Sequence, residues 1–132
     1  MIVLDEQLLG RGLEVAIGKW YRGSIVYVTD LRPDTVIKDD AIPMLLRHQR
    51  QPTFVTINVS DFWRKTPADS KYAIVSIAIP NSKIDLIPSI VRRLFGKPQF
   101  STKERRCGQV VLVRGDRIWS YTEKSSNGPI NL

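Results

Sequence analysis

The sequence predicts an α/β domain, a three-layer α/β/α sandwich on a mostly parallel sheet that ends in a β-hairpin. Three observations predict it. Short apolar runs alternate with segments of helical spacing from Met1 to Leu94. The run Tyr72–Ile79 is apolar at nearly every position, as suits a strand covered on both faces. Acidic or amide residues (Asp5-Glu6, Asp30, Asn58) follow the apolar runs directly, where strands would end and helices begin.

Each element has its own signal. Met1–Leu4 is short and apolar, with adjacent Ile2 and Val3, and reads as a buried strand. Gln7–Tyr21 places Leu9, Leu13, Ala16, Ile17 and Trp20 at helical spacing, with Gly10 and Gly12 weakening the first turns. Gly23 ends that helix and Ser24–Val28 forms a second strand. After a Pro33-containing loop, Asp39 is a suitable N-cap for a helix carrying Ile42, Leu45 and Leu46, with Pro43 in its first turn. Thr53–Ile57 is a third strand, and Trp63–Ser70 is a polar loop. Beyond the strand Tyr72–Ile79, Asp85 can cap a helix that presents Ile87, Ile90, Val91 and Leu94 on one face and stops at Gly96-Lys97-Pro98. Gln109–Val113 and Arg117–Tyr121 form a hairpin about Arg114-Gly115-Asp116. Ser125–Pro129 reads as loose, so the expectation is one domain over 1–124 and a flexible tail over 125–132.

Composition narrows the function. With 132 residues the chain suits one core. Twenty Lys and Arg against thirteen Asp and Glu leave a net charge of +7, which favours a polyanionic partner. No run approaches the roughly 18 apolar residues of a membrane span. The N-terminus lacks a basic n-region and is interrupted by Asp5-Glu6, so no secretory signal is expected and a cytoplasmic location fits. Cys107 is alone, which excludes an intrachain disulfide and a cysteine zinc site.

Carboxylates at strand ends point to chemistry. In open parallel sheets ligands bind at the carboxyl ends of strands, and separated acids there can hold a hard divalent cation such as Mg²⁺ or Mn²⁺. The acids also have plainer roles: Asp5 as a helix-entry acid, Asp39 as a cap, Asp40 facing a helix dipole, Asp61 as a turn former. Arg92, Arg93, Lys97, Lys103, Arg105 and Arg106 make the densest basic stretch, an RNA-binding candidate if it is not merely a solvated surface. Phe95 and Phe100 interleave it and could stack on unpaired bases. His48 lies late in its helix and reads as a helix-end cation.

Several short motifs then carry a resemblance. Leu4-Asp5-Glu6-Gln7-Leu8, Val28-Thr29-Asp30-Leu31, Asp39-Asp40-Ala41-Ile42 and Phe54-Val55-Thr56 with Asp61-Phe62 resemble, in order and spacing, the bacterial PIN-like proteins of the DUF5615 group over roughly residues 1–95. The resemblance implies a PIN-like, Rossmann-like sandwich and a metal-dependent endoribonuclease, possible toxin of a toxin–antitoxin pair, with RNA and an antitoxin as partners and a homodimer as a possible state. It implies Asp5, Asp39 and Asp61 as catalytic and metal-binding residues, with Asn58 as a further ligand standing where the family has aspartate. Glu6, Asp40, Thr56 and Ser60 would support these ligands without binding the ion. One extra residue between Thr56 and Asp61 also departs from the family spacing. A module that binds RNA or protein without cutting is the rival reading, fed by the neutral Asn58. A phosphoryl-accepting receiver is disfavoured, because Ile79 is followed by Pro80-Asn81 and not by a strand-ending lysine.

Overall fold

The computed structural model describes residues 1–132, the whole chain. Seven strands form one sheet: β1 (Ile2–Leu4), β2 (Ile25–Tyr27), β3 (Thr53–Thr56), β4 (Ala73–Ile77), β5 (Val110–Arg114), β6 (Arg117–Tyr121) and β7 (Ser126–Asn131). Their order is β2-β1-β3-β4-β5-β6-β7. The first five run parallel, and β5-β6-β7 is an antiparallel meander. The chain leaves β1 toward one side to make β2 and crosses to the other side to make β3. The switch point, where an open sheet of this kind offers a crevice, therefore lies between the carboxyl ends of β1 and β3.

Alternation along the strands builds a core on each face. Leu4, Val55, Val75 and Ile77 pack on one face against α1 (Leu13–Gly18) and α4 (Ile87–Phe95), through Leu13, Ile17, Ile87, Val91 and Leu94. Val3, Phe54 and Ile74 point the other way, onto α2 (Ile42–Arg47) and α3 (Val59–Phe62), through Ile42, Leu46 and Phe62. The expected three layers are present. The Phe54 and Phe62 rings meet at 5.2 Å and pin α3 directly beneath the end of β3. No helix is long and apolar enough to cross a membrane.

Four elements differ from expectation. The helix expected over Gln7–Tyr21 is a single 3₁₀ turn (Glu6–Leu8) followed by α1, because Gly10 and Gly12 take φ of +78° and +69° and break it. Asp39 and Asp85 are not N-caps. Each lies inside a 3₁₀ turn (Asp39–Ala41, Asn81–Leu86) that leads into a helix whose first turn carries a proline. The basic stretch includes a short helix, α5 (Lys103–Arg106), capped by the Thr102 hydroxyl.

The segment 125–132, expected as a flexible tail, is instead largely the edge strand β7 paired to β6. Its Gly128 is required: a Cβ there would sit 2.6 Å from the Ile118 carbonyl oxygen.

Candidate active site at the carboxyl edge of the sheet

Asp5 is the residue after β1. Its backbone N–H continues the ladder to the Val55 carbonyl (3.0 Å), so its side chain is placed by the sheet and not by a loop. That side chain is 2% exposed. Burial of an ionised carboxylate is costly unless it is hydrogen-bonded. Here the Thr56 hydroxyl donates to Oδ2 at 2.6 Å and the Glu6 N–H donates to Oδ1 at 2.8 Å. Burial pushes the Asp5 carboxyl up, and those two donors pull against it. Thr56 closes β3, and its Oγ1 also accepts the Asn58 N–H at 2.9 Å. One hydroxyl thus ties the end of β1 to the turn after β3.

That turn delivers the second half of the site. Asn58 Nδ2 donates to Asp39 Oδ2 at 3.0 Å and to Asp61 Oδ2 at 2.6 Å. Its Oδ1 accepts the Ser60 hydroxyl at 3.2 Å. Turning the amide over would aim its oxygen at two carboxylates, so the acids themselves fix the nitrogen inward. Asp39 is free for this role because no backbone group uses its carboxylate as a cap.

The electrostatics are those of crowded acids. The Asp39 carboxyl is pushed up to about 6, by burial first, then by its hydrogen bond with Asp61 and the charges of Asp5, Asp61 and Glu6. Asp61, exposed at the surface, moves down, because the Asn58 amide and Asp39 bond it and Lys65 lies near. A groove of about 470 Å³ carries Asp39, Asp40 and Asp61 with Lys38 and Lys65 on its walls. A second hollow of about 570 Å³, lined by Gln7, Arg11, Asn58 and Asn81, opens on the other side of Asn58.

The residues anticipated as one cluster therefore fall into distinct roles. Asp5, Asp39, Asp61, Asn58, Thr56 and Ser60 meet at one edge, from three segments of the chain. Glu6 contributes its backbone N–H while its side chain is exposed, and Asp40 is exposed on the groove wall. The oxygen of Asn58 that was expected as a ligand faces Ser60, and its nitrogen stands between the acids. All donors offered by the acids are oxygens, which suits a hard divalent cation. No three of the carboxylates close on a single point as the ligands of one ion, so the expected ligand set of Asp5, Asp39 and Asp61 is not assembled here.

The basic stretch is not at this edge. Arg106 is 4% exposed; Nε donates to Thr53 Oγ1 (3.0 Å), one NH group to the Phe100 carbonyl (2.9 Å), and the guanidinium lies 3.8 Å from the Phe95 ring centre. Thr53 is the first residue of β3, so Arg106 sits at the amino edge, opposite the acids. Arg106 is a structural residue, unable to contact RNA from this position, and Phe100 is buried as well. Lys103 lies near the Met1 amine and Arg105 folds back onto the Pro98 carbonyl, both at that same far edge. Of the six basic residues only Arg93 reaches toward the carboxyl side, donating to the Leu132 carbonyl beside the β5–β6 hairpin.

Sequence reading missed Lys38, Lys65, Arg11 and Asn81, isolated polar residues whose only signal is their closeness in sequence to turns that carry the acids. It also missed Ser76. Ser76 is beside Thr56 in the β3–β4 register, fully buried, and its Oγ has no hydrogen-bond partner.

Fold and site together define an open parallel α/β domain with an acidic cleft at its switch point. Compared with protein-family models, with curated proteins and with solved structures, the chain finds no match in any of the three.

Proposed function

We propose that this chain is a metal-dependent endoribonuclease of PIN-like type that hydrolyses RNA phosphodiester bonds at the carboxyl edge, and that it serves as the toxin of a toxin–antitoxin pair. The observation that carries the reading is the meeting of Asp5, Asp39 and Asp61, from three separate segments, at the sheet's switch point. The motif resemblance over the first 95 residues or so selects the same three acids.

Asp39 and Asp61 would hold Mg²⁺ or Mn²⁺, with Asp5 completing the acidic wall and Thr56 keeping Asp5 oriented. When bound, such an ion neutralises charge on the phosphoryl oxygens and lowers the pKa of a water. The chain's own residues supply the rest. Lys38 and Lys65 flank the acids and offer positive charge to the phosphate oxygens on either side of the bond to be cut. Asn58 donates to both outer carboxylates and so ties them together against their mutual repulsion.

A second reading has one specific observation behind it. The Asn58 amide already occupies the space between Asp39 and Asp61, as a cation would, which favours a module that binds RNA without cutting.

The test is cleavage of labelled single-stranded RNA by the purified chain in Mn²⁺, Mg²⁺ or EDTA, beside Asp39→Asn and Asp61→Asn. Metal-dependent cutting that falls at least about a hundredfold in each variant is expected. Full activity in both variants would remove the site assignment. No cutting by folded wild type in any metal would move the function to the binding module, with gain of cutting in Asn58→Asp as the following check.

A further inference from the structure

The groove around the acids has neighbouring hollows along the same edge. From Asp39 and Asp61 the surface passes over Asn58 into the hollow of Arg11 and Asn81, whose far wall is Ile79. Ile79 is also a wall of a third cavity, about 420 Å³, with an apolar floor of Leu86, Ile90 and Val113 and with Lys83 and Arg93 at its margin. The three spaces are therefore neighbours along the carboxyl edge, joined through Asn58 and Ile79.

The charge pattern along that edge is ordered. Acids line the first space alone. Cations stand on both sides of them: Lys38 and Lys65 on one, then Arg11, Lys83 and Arg93 on the other. The ion pairs of the molecule are Arg47–Asp69 and Arg117–Asp116, so none of these five cations is in an ion pair; Lys65 lies near Asp61, and Arg93 donates to the Leu132 carbonyl. A cationic line with an apolar recess in it matches a single strand, whose phosphates repeat along one side and whose bases need a dry surface. A duplex would bury its bases and leave the recess of Leu86 and Ile90 unused.

We propose that single-stranded RNA lies along this carboxyl-edge path, with phosphates on Arg11 and Lys83 and a neighbouring base in the Ile79–Leu86–Ile90 recess, and that the 97–106 stretch takes no part in holding it. The proposal rests on the nuclease reading for the identity of the strand, and it deepens that reading by giving the strand its route.

The experiment is fluorescence anisotropy of a labelled ten-nucleotide single-stranded RNA against the full chain in EDTA, over a salt series. Wild type is compared with Arg11→Ala/Lys83→Ala and with Lys97→Ala/Lys103→Ala, all checked for fold by circular dichroism. Single-strand contacts contribute about 0.7 to the salt slope per phosphate. The Arg11/Lys83 variant is expected to bind about tenfold more weakly, with a slope shallower by about 1.4, and the Lys97/Lys103 variant to match wild type. The opposite pattern, or an unchanged slope in the Arg11/Lys83 variant, overturns the route even if the protein cuts RNA. Binding with the expected slopes but without cutting in Mn²⁺ leaves the route standing and removes the nuclease reading. No binding by wild type at low salt removes both.

Discussion

The two ends of β3 make an instructive pair. At its carboxyl end the Thr56 hydroxyl bonds a buried acid, Asp5; at its amino end the Thr53 hydroxyl bonds a buried base, Arg106. Both charges are nearly removed from water, and neither forms an ion pair. What differs is the charge around each. Arg106 has a hydroxyl, a carbonyl and the Phe95 ring face, and it lies within an aromatic group where Phe95 meets Trp20 and Tyr21 edge-on at 6.0 and 6.1 Å. Asp5 has a donor on each oxygen and faces further acids, Glu6 and Asp61, whose charges add to the upward push on its carboxyl. A buried charge held by neutral groups anchors a fold, whereas one crowded by like charges marks a candidate site. The same strand therefore carries an anchor at one end and a reactive edge at the other.

Three measurements would break or sharpen this comparison. The largest effect belongs to Arg106→Ala, which leaves Thr53 and the Phe100 carbonyl without their donor and opens a gap against Phe95. Urea denaturation should show a loss of about 3 kcal/mol, and an exposed basic residue such as Arg105 changed to Ala should lose less than about 0.5 kcal/mol. Equal losses in the two would mean that Arg106 is not the anchor. Next comes the pair Thr53→Val and Thr56→Val, each close to isosteric. Each should cost about 1–2 kcal/mol of stability, but only Thr56→Val, which releases Asp5 and the Asn58 backbone, should also reduce RNA cutting or metal affinity. Matching effects of the two on activity would dissolve the distinction between anchor and edge.

The smallest effect is the pH dependence of the metal-free protein. The Asp39 carboxyl binds its proton more tightly folded (about 6) than unfolded (3.8), so its contribution to stability is best below 3.8 and is lost as the pH rises through about 6. Asp61 moves the other way, so its contribution is already complete above 3.8 and changes only at lower pH. Solvent near Asp39 screens its interactions and keeps its own effect small, on the order of 1 kcal/mol or less. Stability of wild type should fall slightly from pH 4 to pH 6, roughly, with Asp39→Asn making that fall smaller and the raised Asp5 carboxyl supplying the remainder. A rise over the same range that survives in the variant would place the titration elsewhere.

Much of the framework was legible because its signals are local. Continuous apolar sequence marks β4, the alternation of Phe54 and Val55 serves two faces at once, and Gly115-Asp116 makes the hairpin turn. Asp5 stood out because strand ends can be read from where apolar runs stop, whereas Thr56 was singled out by the motif resemblance. The misses are long-range. Arg106 looks like any surface basic residue until β3, 53 positions earlier, is packed against it. Ser126–Asn131 has a polar sequence with Gly128-Pro129, and it becomes a strand only because β6 offers it a free edge. The inward turn of the Asn58 nitrogen depends on Asp39, 19 residues away, which local spacing does not reveal.

The sheet's two outer strands have a further consequence, for self-association. β2 is only three residues long, and β7 carries Pro129, which has no N–H to give to another strand. Neither border is a good template on which a second copy could add its own strand. Both borders are thereby blunted against edge-to-edge strand addition.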